Sequence, residues 1–87
     1  MSGNVKNYVF PAIFFEEACG IGVVFLDLPG CVTQDDDYER ALRCAREAVH
    51  FHLTGIIEDR EKIPSPSKSA AIPLEAGSVL ALIETQI

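Results

Sequence analysis

Two histidines, a run of three aspartates and three cysteines are the side chains of this 87-residue chain best suited to chemistry. His50 and His52 are the only groups whose unperturbed pKa lies near neutrality, where a general base works. They stand two apart in a stretch of helical periodicity and so point in different directions. They cannot hold one metal or act on one substrate together. His52 falls on the flank of an apolar stripe as a core histidine, and His50 falls toward solvent.

Asp35, Asp36 and Asp37 directly precede the same helical stretch. Asp36, with Glu39 three residues later, reads as an acidic form of the capping box, and carboxylates there meet the positive end of the helix dipole. Helix initiation therefore accounts for the run, and no metal site is expected. Cys19, Cys31 and Cys44 are odd in number and form no C-x-x-C pair. They read as three reduced thiols acting as small hydrophobes. The chain has no glycine-rich phosphate loop and no Ser-His-Asp or Cys-His constellation of specific local spacing. No catalytic apparatus and no cofactor are expected.

Charge points toward binding instead. Thirteen Asp and Glu against seven Lys and Arg give a net charge of −6, which repels nucleic acid and favours a basic partner. An apolar fraction of 48% is too high for disorder, and a chain of this length makes one domain, here residues 1–87. No apolar run approaches a transmembrane helix, and the N-terminal MSGNVKNYVF lacks the features of a signal peptide. The expected location is cytoplasmic.

The elements that position these residues follow from periodicity. Lys6 to Phe15 reads as a first strand with Tyr8, Phe10, Ala12 and Phe14 on one face and Val9, Ile13 and Phe15 on the other. Pro11 offers no amide hydrogen, so the strand is expected at an edge there or bulged. Glu16 to Gly20 reads as a loop and Ile21 to Leu26 as a second strand. Leu28-Pro29-Gly30-Cys31 is a type II turn signal, proline at its second position and glycine at its third. A third strand over Cys31 to Gln34 follows. A helix is predicted from about Asp37 to Glu58, its apolar stripe running through Tyr38, Leu42, Ala45, Val49, Leu53 and Ile56, with Ala41 beside it. Glu61 to Gly77, with Pro64, Pro66 and Pro73, reads as an extended, stiff connection. Ser78 to Thr85 closes the chain as a fourth strand, apolar on both faces. The predicted class is α+β, in the order β-β-β-α-β: a three-stranded antiparallel meander, one long helix and a fourth strand.

This order resembles part of a ribonuclease H-like domain. The motifs also resemble the HicB family of antitoxins: Tyr8-Val9-Phe10-Pro11-Ala12, Phe25-Leu26-Asp27-Leu28-Pro29-Gly30-Cys31-Val32-Thr33-Gln34, an acidic helix entry with Tyr38, Glu39, Ala41 and Leu42, and Ile63-Pro64-Ser65-Pro66-Ser67. One departure is Asp35, where the family commonly carries glycine. The first strand has no Asp or Glu to anchor a catalytic metal, so a nuclease is not expected. The resemblance implies an antitoxin that binds and occludes a small, basic, mRNA-cleaving toxin of the HicA kind. Many HicB proteins continue into a DNA-binding domain; the reading here is of one HicB-like domain with no C-terminal DNA-binding domain and no direct binding of nucleic acid. A stand-alone oligomeric protein-binding module or a small-ligand sensor is the alternative.

Phe51 is the expected anchor for a partner, with Asp27 and Glu47 as acidic members of the same set; Pro29, Gly30 and Asp36 are expected to be structural, in the turn and the cap. Phe51 lies on the polar side of the helix, flanked by Cys44, Ala48 and Gly55. It is either open to another surface or covered by the later loop. A sheet apolar on both faces with one helix to cover it also predicts self-association, most simply as a homodimer.

Overall fold

The computed structural model describes residues 6–68 and 71–87. The N-terminal stretch MSGNVKNYVF, read as lacking the features of a signal peptide, lies partly outside these residues, as do positions 69 and 70 of the proline-rich connection. The chain forms β1 (Asn7–Glu17), β2 (Gly20–Val24), β3 (Val32–Asp35), α1 (Tyr38–Glu58) and β4 (Val79–Gln86). The four strands make one antiparallel sheet in the order β3-β2-β1-β4.

The alternation read in β1 governs the packing. Phe10, Ala12 and Phe14 are buried, and they share their face with Val23 and Ile21 of β2 and with Ile83 of β4. Against this face α1 lays Ala41, Ala45, Val49 and Leu53, all buried, with Leu42, Ala48 and Ile56 half-buried beside them. Small residues in the first half of this stripe let the helix approach the sheet closely, and Val49 and Leu53 fill the wider space beyond. Tyr38, predicted on the stripe, stands at the exposed start of the helix with its ring 6.3 Å from that of Phe14.

Two local expectations are corrected, and a third is met. The predicted loop over Glu16 to Gly20 is a tight hairpin: Glu16 and Glu17 pair with Ile21 and Gly20, leaving Ala18 and Cys19 as its tip. Gly20 has φ 141°, and a Cβ there would lie 2.4 Å from the Asp35 carbonyl oxygen, so only glycine fits. Asp36 is not the cap. Asp37 has the extended backbone of an N-cap (φ −139°, ψ 172°), and its carboxylate accepts the Arg40 N–H at 2.8 Å. Asp36 instead pairs loosely with the Arg40 guanidinium at 3.7 Å, both side chains in solvent. Pro11 sits in a central strand, yet β2 pairs with β1 only from Ile13 onward while β4 runs past it. At Pro11 the strand is thus an edge on one side, which reconciles the missing donor with a central position.

The Leu28–Cys31 turn forms as read. The Cys31 N–H donates to the Leu28 carbonyl at 2.9 Å, and Gly30 takes φ 85°, the torsion that the third position of a type II turn requires. A preceding turn closes from Leu28 N–H to the Phe25 carbonyl, and Phe25 N–H returns to the Cys31 carbonyl. These bonds satisfy the backbone of a loop whose side chains Phe25, Leu28 and Cys31 are buried in the core. After α1, residues 61–68 are neither helix nor strand. Ile63 packs on the core, and Ser67 fastens the segment to Asp27: its N–H donates to one carboxylate oxygen at 2.9 Å and its hydroxyl to the other.

Candidate protein-binding site

The outward face of α1 carries the side chains expected to bind a partner. Phe51 is 77% exposed, so the later loop does not cover it. An aromatic ring held in water by a rigid helix loses apolar hydration whenever a surface docks on it, at little entropic cost. On one side it borders a shallow groove of about 290 Å³ lined by Arg46, Glu47, His50 and Thr85. On the other lies a groove of about 600 Å³, where Gly55 and Ile56 of the helix face Pro29 of the turn and Pro64 of the connection, with Asp59, Glu61 and Lys62 at its margin. Gly55 leaves the floor of that groove low, since a Cβ there would meet nothing within 4 Å.

Phe51 and Glu47 are therefore brought together on one surface. Asp27 is not part of it; its carboxylate is taken up by Ser67. Pro29 and Gly30 hold the turn as expected, and Pro29 also forms a wall of the larger groove. His50 Nδ1 lies 3.3 Å from Thr85 Oγ1, linking helix and edge strand, and His52 is half-buried.

Sequence reasoning predicted an open apolar face on the side of the sheet away from α1 but missed the groove that forms on it. There Ile13, Phe15, Val24 and Leu26 line a groove of about 800 Å³ whose other wall is the stretch 73–78, Leu74 included. The available signal was Leu74 itself, a large apolar residue between Pro73 and Gly77. Val9, Val32 and Leu82 extend the same face and are also exposed.

The titratable groups off this surface behave as structure. Burial pushes the Cys31 thiol up to about 11. The Asp36 N–H, at 2.6 Å, and then the Cys44 thiol, at 3.2 Å, donate to the Asp35 carboxylate and hold it below the usual range. The same contact raises Cys44, because a thiol that donates to a carboxylate resists ionisation. Cys19, at the hairpin tip, is exposed. At pH 8 a thiol reagent is thus expected to modify one cysteine per native chain quickly and three after denaturation, read by mass spectrometry. Rapid modification of two native thiols would show that the Asp35–Cys44 contact does not persist. Among the described residues no group of three or more His, Cys, Asp or Glu is placed to hold a metal ion, and no helix is long and apolar enough to cross a membrane.

Residues 10–85 match the family model described as the HicB-like antitoxin of bacterial toxin-antitoxin systems. The chain belongs to this family. It is 30% identical over 86 residues to Antitoxin HicB 2 of Photorhabdus laumondii, a match that takes in 94% of this chain and 62% of that HicB protein's length. Among solved structures, the N-terminal domain of the Burkholderia pseudomallei antitoxin HicB superposes with a TM-score of 0.71 at 29% identity, over 87% of this chain and 95% of that one. A chain of a toxin-antitoxin complex from Streptococcus pneumoniae shares the fold, with a TM-score of 0.82 at 18% identity over 91% of this chain and 69% of the other. The HicB-like assignment and the β-β-β-α-β sheet therefore stand together. Asp35, where glycine was expected from the family, ends β3 in ordinary pairing with Ile21 and binds Cys44 instead of making a left-handed turn.

Proposed function

We propose that this HicB-like chain is an antitoxin domain that neutralises a small, basic, RNA-cleaving toxin of the HicA kind by covering its RNA-binding surface, and that it catalyses no reaction itself. The observation that carries this reading is Phe51, an exposed aromatic anchor on an acidic protein, bordered by Arg46 and Glu47 on one side and by Asp59, Glu61 and Lys62 on the other. The chain's net charge of −6 steers a basic partner toward the protein and competes with RNA phosphates, while the ring supplies the desolvated contact that slows release. Family membership supports the same reading, and cytoplasmic action follows from an RNA-cleaving target. In an RNA-cleavage assay with a basic toxin of this kind, the protein suppresses cleavage stoichiometrically, less well as salt rises, and by itself cleaves nothing with magnesium present. Cleavage by the protein alone, or a toxin left fully active at tenfold excess, overturns the reading. With a charge of −6 the chain itself does not engage operator DNA.

We also infer that the domain self-associates through its sheet, most simply as a twofold dimer. One helix covers one face, and on the other Val9 and Leu82, on the paired strands β1 and β4, stand in water. Burying such a surface contributes roughly 25 cal/mol per Å².

A further inference from the structure

The sheet has two outer edges, and they are built differently. On one side β3 is four residues long, ends in Asp35 and runs straight into Asp36 and Asp37. A short edge followed by charge is poorly suited to pairing with another strand. On the other side β4 is eight residues, VLALIETQ, with no proline, no lysine or arginine and one charged residue, Glu84. It carries none of the usual devices that keep an edge from pairing. It is also held straight from within: β1 pairs with it from Asn7↔Gln86 to Phe14↔Val79, and Lys6 and Ile87 add two further backbone bonds of 2.9 and 3.0 Å. Its outward row of N–H and C=O groups is therefore fixed in place, and its side chains are apolar on both faces of the sheet, with Leu82 60% exposed on the open face and Val79 49% exposed on the helix side.

Building on the self-association inferred above, we propose that the outer edge of β4 pairs antiparallel with β4 of a second copy, joining two four-stranded sheets into one of eight strands. The occupant is argued from the strand itself. Antiparallel pairing about a twofold axis makes an edge its own complement, since each donor meets the acceptor of its symmetry mate. An axis through Ala81, Leu82 or Ile83 sets Glu84 opposite Ser78, Leu80 or Leu82 of the partner copy, never opposite another Glu84. No like charges oppose each other in the new ladder, and Leu80 and Leu82 from both copies form one apolar strip on the open face. An unrelated peptide could add to the same edge, but this symmetry specifically favours a second copy.

The experiment is sedimentation equilibrium and size-exclusion light scattering of the full chain and two lysine variants, with circular dichroism to confirm folding. Leu82→Lys places a charge on the β4 edge. Val32→Lys, at a site 61% exposed, places the same charge on the open face beside β3, at the opposite edge. The expected result is wild type at twice the 9.5 kDa chain mass, Leu82→Lys with a dimer dissociation constant raised by at least about tenfold, and Val32→Lys unchanged. Should Leu82→Lys fold poorly, Val79→Lys takes its place, and hydrogen exchange of the 79–86 peptide in wild type must slow as concentration rises. If both lysines weaken the dimer, the copies stack through their open faces, and edge pairing is overturned while self-association stands. A dimer weakened by neither also overturns it. A wild-type monomer overturns both inferences.

Discussion

Phe10→Ala is expected to destabilise the domain by about 3–5 kcal/mol, the range for truncating a fully buried phenylalanine. Phe10 is 1% exposed, paired with Ile83 across the β1–β4 ladder and surrounded by the core that includes Phe25, Leu28 and Leu53. Removing its ring leaves a cavity where β1, β4 and the buried loop meet, and a well-packed interior closes such a space only in part. Domains of this size have a total stability of roughly 4–13 kcal/mol. The variant should therefore melt at least about 12 °C lower, or not fold. The internal comparison is Phe51→Ala, the same atoms removed from a side chain in water, which should stay within about 0.5 kcal/mol of wild type. Thermal denaturation followed by circular dichroism measures both; equal losses would mean that Phe51 is covered in solution.

The same Phe51→Ala variant should have its large effect on binding. If the ring is the anchor for a basic toxin, its loss is expected to cost at least about 2 kcal/mol, close to a thirtyfold weaker complex, expressed mainly as faster dissociation. Glu47→Lys, one turn earlier on the same surface, should act on the other rate: slower association, with a smaller dependence on salt. Surface-based kinetics on the purified pair separates the two. Affinity of Phe51→Ala within threefold of wild type would move the interface away from the outward face of α1.

The fold was legible where the pattern is local and repeats. Alternation in β1 and β4 named both faces of the sheet correctly, because a strand's side chains can point only two ways. The helix was legible from its stripe, and the Leu28–Cys31 turn from two residues whose torsions are almost predetermined. What escaped depends on choices between equals or on distance along the chain. Asp36 and Asp37 are chemically identical candidates for the cap, and only the register in which α1 seats on the sheet selects Asp37. The extension of β1 through Glu17 rests on pairing with β2, not on propensity. Asp27 reads as an acidic surface residue; its engagement by Ser67, forty positions later, has no local signature. The candidate site divides along the same line. Phe51 and Glu47 share a helix and could be placed together from spacing, whereas the groove beneath Leu74 exists only because the connection folds across the open face.

The central position of β1 also governs the order in which the domain can form. One neighbour, β2, follows after a two-residue turn, but the other, β4, is separated from β1 by about sixty residues. Closing that separation costs far more chain entropy than closing the hairpin, so the β1–β4 ladder is the last that any folding route can complete cheaply. On the ribosome the delay is literal: at roughly 5–20 residues per second, β1 waits several seconds for the strand that will cover its second edge. During that interval the apolar surface of Phe10, Ala12 and Phe14 lacks both Ile83 and the flanking ladder. Pro11 does not guard that waiting edge; its missing donor lies on the side that β2 leaves unpaired, where it blunts β1 in the nascent chain and the finished sheet alike.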